Sequence, residues 1–266
     1  MFKFNQKKRI FLVTKRHRFI IGVLVSSFLL FIAEYSLGKS GVALIFGISV
    51  ATDIFLFWAL RRDLKDYFSF QIFFLPFLYT LSFGLFYFLF PARLLFRIFM
   101  TLLFAVGLYS LYLSQNIFTV SSIRTIALLS SARTVSFLLT IVSFFFGMNV
   151  IFTLHLSAFI TFPLIFLFSL PLVLHSIWTY TLERSIRHEI SWGILLSFCI
   201  SEVSFLLWFW PSTPTFIALF LTGFFYIIVG LSHVWFEKKL FRGVILEYIW
   251  VAVFVFIFLV AFTSWT

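Results

Sequence analysis

The sequence predicts an all-α polytopic membrane protein: a bundle of about nine spanning helices with a cytoplasmic N-terminus. Three observations carry this reading. First, 62% of the residues are hydrophobic and only 11% are charged, with a mean hydropathy of +1.12. A soluble domain carries about a quarter charged residues, so there are too few here to cover a water-facing surface. Second, the apolar residues come in runs of about 18 or more, the length at which a helix crosses a bilayer. Third, most basic residues sit in an N-terminal tail and in alternate short segments between the runs. Strand-like alternation is absent, which argues against a barrel. In hydrocarbon each backbone group needs a partner within its own segment, and a helix supplies it.

Residues 1–18 form a basic tail, and 19–264 a single integral membrane domain. The first span is expected over 19–37 and the second over 42–60, joined by a tight polar turn at 38–41. A charged loop at 61–66 leads to span three, 67–90, with a bend expected at Pro76. A short basic turn at 91–97 precedes span four, 98–115. The stretch 116–133 reads as an amphipathic helix lying in the cytoplasmic interface, with Val120, Ile123, Ile126 and Ala127 near one face. Spans five to nine follow at 134–154, 157–181, 190–210, 215–235 and 244–264, with Pro211 and Pro214 stopping the seventh. A cleavable leader is disfavoured, because Glu34 and Tyr35 sit just ahead of the small-x-small triplet Ser36-Leu37-Gly38.

The net charge of +11 does not point to nucleic acid, because its placement follows the loops. Lys3, Lys7, Lys8, Arg9, Lys15, Arg16 and Arg18 lie in the tail. Arg61, Arg62, Lys65, Arg124, Arg133, Arg184, Arg187, Lys238, Lys239 and Arg242 lie in loops on the same side of the membrane. Only Lys39, Arg93 and Arg97 fall on the other side. Short loops rich in Lys and Arg stay cytoplasmic. The expected partners are therefore the bilayer and anionic lipid headgroups at the cytoplasmic face, in a bacterial cytoplasmic (inner) membrane or its equivalent. Phenylalanine, at 44 residues, reads as lipid-facing filler. Ala43, Gly47 and Ala51 form a small-xxx-small series expected to be a close helix-packing face.

Ionisable side chains inside a span cost about 2.5–3.5 kcal/mol each on insertion scales, so each is a functional candidate. Three acids qualify. At about 1.5 Å per residue, Asp53 lies about 10 Å above the inner edge of its span, Glu202 about 18 Å and Glu34 about 22 Å. The sequence places no Lys or Arg at their depth. Such groups can exchange protons or hold a small cation. Ser49 near Asp53, and Ser197, Ser201 and Ser204 near Glu202, offer a bundle-packing alternative. Asn149 and Gly147, with Pro163 and Pro171, can shape a cavity or simply pack helices.

A second group collects near the cytoplasmic span ends: His175, Glu183, Arg184, Arg187, His188, Glu189, His233 and Glu237. His233 and Glu237 are four residues apart and share a helical face, a spacing compatible with two metal ligands, but no H-E-x-x-H accompanies them and no metal is expected. No cofactor motif is present: Gly38-Lys39-Ser40-Gly41 lacks the earlier glycine of a P-loop, and G-x-S-x-G and D-D-x-x-D are missing. The acids and the proline-interrupted spans favour a transporter or permease for a small molecule or ion. The alternatives are an enzyme acting on a lipid or isoprenoid at the cytoplasmic face, with Arg184 and Arg187 on phosphate, and a non-catalytic structural or assembly component. The odd span count argues against two equal halves. The topology is directly testable: a reporter fused after Leu60 or Leu240 is expected to be active only in the cytoplasm, and one fused after Thr266 only outside.

Overall fold

The computed structural model describes residues 15–36, 41–65, 68–89, 94–122, 127–182 and 187–263. Among them are nine α-helices and no strand. The helices are α1 Lys15–Ser36, α2 Gly41–Leu60, α3 Gln71–Tyr87, α4 Leu94–Ser121, α5 Leu129–Thr153, α6 Ala158–Thr181, α7 Arg187–Trp208, α8 Pro214–Phe236 and α9 Arg242–Ala261. Eight are long and apolar enough to cross a membrane. The exception, α3, has 17 residues, about 25 Å at 1.5 Å per residue. The protein is a multi-pass helical bundle.

Local sequence sets several helix ends. Pro214 stands at the first turn of α8 behind an extended Thr213, where its missing N–H costs nothing. After α6, Leu182 turns left-handed (φ 48°) and its N–H returns to the Trp178 carbonyl, 2.8 Å away. By contrast Pro76, Pro163 and Pro171 lie inside α3 and α6 without ending them, as neighbouring helices in a bilayer permit.

Successive helices alternate in direction. Lys15, opening α1, pairs with Asp63, just past α2. Arg133, in the first turns of α5, reaches carbonyls at the end of α6. One end of the bundle thus gathers Lys15, Arg18, Arg61, Arg62, Arg133, Lys238, Lys239 and Arg242; it is the basic end. The other end holds the turns before α6 and before α8, where Trp208 donates to the Leu156 carbonyl at 2.9 Å.

Helix α5 is central, packing on α3, α4, α6 and α8. Its most apolar stretch is 61% buried, against 6% for α9, which rests on α8 at the edge. Phenylalanine does more than face lipid: Phe83, Phe104, Phe118, Phe144 and Phe225 are wholly buried. Tyr79 stacks on Phe104 (5.7 Å between centroids), and Phe144 stacks on Phe225 at 4.3 Å, joining α5 to α8. Gly107 and Gly147 admit Tyr79 and Phe168 against bare backbone.

Two expectations are corrected. The stretch 116–133 is not a separate interfacial helix. Asn116–Ser121 continues α4, and 129–133 begins α5; 123–126 lie outside the described residues. The reason is burial: Gln115, Phe118 and Thr119 are buried, Gln115 meets His175 of α6 at 2.8 Å and Phe118 packs against Trp178 at 6.0 Å, so the helix runs on past the apolar run. The Ala43–Gly47–Ala51 series is not a packing face either. Ala43 and Gly47 are exposed, and nothing approaches Gly47, while α2 packs through Ile45, Ile48, Thr52 and Leu56.

The close approach lies elsewhere, at Gly84 of α3, where a Cβ would stand 2.7 Å from Ile45 Cγ2 on α2. Gly84→Ala is therefore expected to lower the unfolding midpoint in detergent, by about 1–3 kcal/mol of overpacking. Gly47→Ala, whose added methyl meets nothing, is expected to leave the midpoint unchanged or raise it.

Candidate functional site: two acidic clefts and a polar tie

Hydroxyl side chains in this bundle mostly satisfy themselves. Ser49 donates to the Ile45 carbonyl at 2.9 Å, Ser201 to Ser197 at 2.9 Å and Ser204 to Ser201 at 2.6 Å. A carboxylate cannot do this, since it is acceptor-only and the helix's own N–H groups are already used. Asp53 and Glu202 therefore depend on something outside their own helices. The serines beside them in sequence do not serve: Ser49, Ser201 and Ser204 bond backbone, and Ser197, Ser201 and Ser204 are wholly buried while Glu202 is exposed.

Asp53 lines a cleft of about 500 Å³ between α2, α3 and α6. The other walls are apolar: Phe73, Phe74 and Phe77 from α3, Leu167, Phe168 and Pro171 from α6, and Phe70 at the mouth. Phe70 is 61% and Leu167 69% exposed, so the cleft opens sideways, toward where lipid lies. Asp53 is half-buried, and its Oδ1 has no hydrogen-bond partner among the described residues. The preceding residue, Thr52, is tied down: its carbonyl accepts from Tyr112 Oη at 2.7 Å, and its hydroxyl meets Thr80 at 3.4 Å.

Glu202 lines a different cleft, of about 570 Å³, between α6 and α7, with Phe159, Phe162, Phe198, Phe205 and Leu206. At 3.6 residues per turn, Phe159 and Phe162 point from α6 roughly opposite to Leu167, Phe168 and Pro171. The two acids thus flank α6 and do not share a cavity. Glu34 lies in the last turns of α1, and its side chain is outside those described.

The candidates at the basic end separate. His175, His233 and Glu237 come together; Glu183 and Arg184 lie outside the described residues, as do the side chains of Arg187, His188 and Glu189 in the first turn of α7. The sequence did not single out Gln115, Arg133, Ser176 and Tyr180, which complete the group. Gln115 Nε2 meets His175 Nε2 at 2.8 Å, joining α4 to α6. Ser176 Oγ meets His233 Nε2 at 2.8 Å, joining α6 to α8. Arg133 donates to the Thr179 and Tyr180 carbonyls at 2.9 and 3.1 Å, faces Glu237 at 3.5 Å and covers the Tyr180 ring at 4.6 Å. Tyr180 in turn stacks on His233 at 4.0 Å. These bonds tie four helices at the basic end, and they engage the side chains that a catalytic reading would need free. Among the described residues no three His, Cys, Asp or Glu converge to hold a metal. The available signal was a pair of polar residues at span boundaries, Gln115 closing the span at 98–115 and Arg133 directly preceding the span at 134–154.

A bundle of apolar helices, tied by polar groups at one end and carrying lone acids in lateral clefts, is a multi-pass integral membrane protein. The chain belongs to the DUF5656 family, described as proteins of unknown function, which matches residues 40–262. That match takes in α2 to α9. No curated protein and no solved structure matches the chain.

Arg133 gives the polar tie its test. Its fork satisfies two carbonyls at a helix end, and hydrogen bonds to a charged group contribute about 1.5–3 kcal/mol each. Arg133→Ala is expected to lower the thermal midpoint in detergent markedly. Arg133→Lys should recover only part of the loss, since a single ammonium lacks the planar fork.

Proposed function

We propose that the protein is a permease-like carrier in a bacterial cytoplasmic membrane or its equivalent, and that Asp53 is its proton-exchanging or cation-holding group. The observation that carries this reading is the unpartnered Asp53 Oδ1 in an apolar cleft. Buried polar groups are normally hydrogen-bonded, and an exception calls for an explanation. A packing role would give the carboxyl a donor on a neighbouring helix. Here the facing groups are phenyl rings and aliphatic chains. The volume, about 500 Å³, lies within the range of about 300–1,000 Å³ usual for small-molecule sites. Its lateral opening suits a substrate that arrives through the bilayer.

The lipid-enzyme reading has less support. His175 and His233 are 0% and 4% exposed and engaged with Gln115 and Ser176, so neither is presented to a substrate. A structural role is favoured by the four-helix tie around Arg133, but that tie leaves the acids without a purpose.

The experiment is flux in proteoliposomes under an imposed pH gradient, read by an entrapped pH dye over a panel of lipophilic small molecules. Wild type is expected to move protons with at least one of them. Asp53→Asn, which keeps shape and hydrogen bonding but cannot titrate, is expected to fold and to abolish that flux. Equal flux in the variant refutes the proposal.

A further inference from the structure

We propose that the cleft around Glu202 binds a hydrophobic organic cation, such as a quaternary ammonium or phosphonium compound, drawn from the surrounding lipid. This deepens the carrier reading and rests on the same lateral access, but it concerns another carboxylate in another cleft.

Glu202 is exposed on α7 and makes no hydrogen bond or ion pair with any described residue. It lies six residues before Trp208, the last residue of α7, about 9 Å from the helix end at 1.5 Å per residue. At that depth, water does not freely replace a missing partner. The sequence places no Lys or Arg there, so the complementary charge must come from elsewhere.

The walls narrow its chemistry. Phe162 stands edge-on to Phe198 (5.8 Å, 87°) and to Phe205 (6.3 Å, 87°). Crossed rings of this kind offer π faces in more than one direction, and π faces attract cations, most strongly when desolvated. A hard metal cation is a poor fit, because it needs several oxygen ligands and Glu202 is the one carboxylate among the lining residues. A hydrated cation would lose its water to phenyl rings. An anion is repelled. What remains is a cation whose charge is wrapped in apolar surface. The cleft volume of about 570 Å³ matches one small molecule; a docked transmembrane helix would need a groove running the length of the span. A lipid ammonium headgroup sits at the interface, above this depth.

The test uses the purified full-length chain in phosphatidylcholine nanodiscs, titrated with tetraphenylphosphonium by equilibrium dialysis. Saturable binding is expected. Triphenylphosphine oxide, which is neutral and similarly aromatic, is expected not to compete. Glu202→Gln should weaken binding about tenfold or more, equivalent to at least about 1.4 kcal/mol. Glu202→Asp, which keeps the charge, should retain most of the affinity and so guards against misfolding. Asp53→Asn should bind as wild type does. Absence of saturable binding, or undiminished affinity in Glu202→Gln, overturns the proposal. So does competition by phosphatidylethanolamine, which would make the occupant a lipid headgroup. Loss of binding in Asp53→Asn alone would move the cation to the other cleft, refuting this site while leaving the carrier reading intact.

Discussion

Inside hydrocarbon a polar group has no water to turn to, and this structure is organised around the ways its side chains meet that constraint. Hydroxyls fold back onto their own helices: Thr140 onto Ser136, Ser143 onto Leu139 and Thr222 onto Ala218, at 2.8, 2.7 and 2.6 Å. These bonds let serine and threonine occupy the interior without committing one helix to another. Bonds between helices are correspondingly few and specific. They include Tyr112 to the Thr52 carbonyl at mid-bundle and Asn149 to Thr215 near the end away from the basic residues. At the basic end they gather around Arg133, where helix-end carbonyls lack intrahelical partners and a guanidinium can serve two at once.

Carboxylates have no such internal remedy, because they accept and a helix has no spare donor to offer. Asp53 and Glu202 stand out for that chemical reason more than for their charge alone. Each sits in a cleft whose walls are largely phenyl rings. The surroundings follow from composition: with phenylalanine so heavily used, rings fill both the core, as Phe144 on Phe225, and the surface, as Phe70 and Phe159. Flat, bulky rings on neighbouring helices pack edge to face and leave lateral gaps where smaller residues meet them. An acid placed in such a gap has an apolar, aromatic environment that opens sideways.

The central position of α5 links these features. It carries Arg133 at one end and Asn149 near the other, and it supplies Phe144 and Gly147 to the core between them. Through α3 and α6 it backs two of the three helices of the Asp53 cleft, and with α4, α6 and α8 it forms the polar tie. By contrast α9 contributes one buried residue, Leu259, among those described, and its apolar surface faces outward.

The helices and their order were legible in the sequence, because a span is recognised by local length and composition, and each apolar run here became one helix. The basic residues expected on one side, where described, likewise fell together at one end, as alternation of direction requires. The sequence also picked out Asp53, Glu202, His175, His233 and Glu237 as unusual in their setting. Which face of each helix turns inward was decided only in three dimensions. In a soluble protein the polar face marks the outside; in a bilayer both outside and inside are apolar, so the pattern carries little of that information. Hence Ala43 and Gly47 face away from the packing they were expected to make, and phenylalanines expected against lipid form the core. Hence also Gln115 and Arg133, read as span boundaries, become the partners of α6. The same ambiguity hid the relation of the two acids: their depths follow from counting residues, but their separation onto opposite flanks of α6 depends on how that helix is rotated among its neighbours.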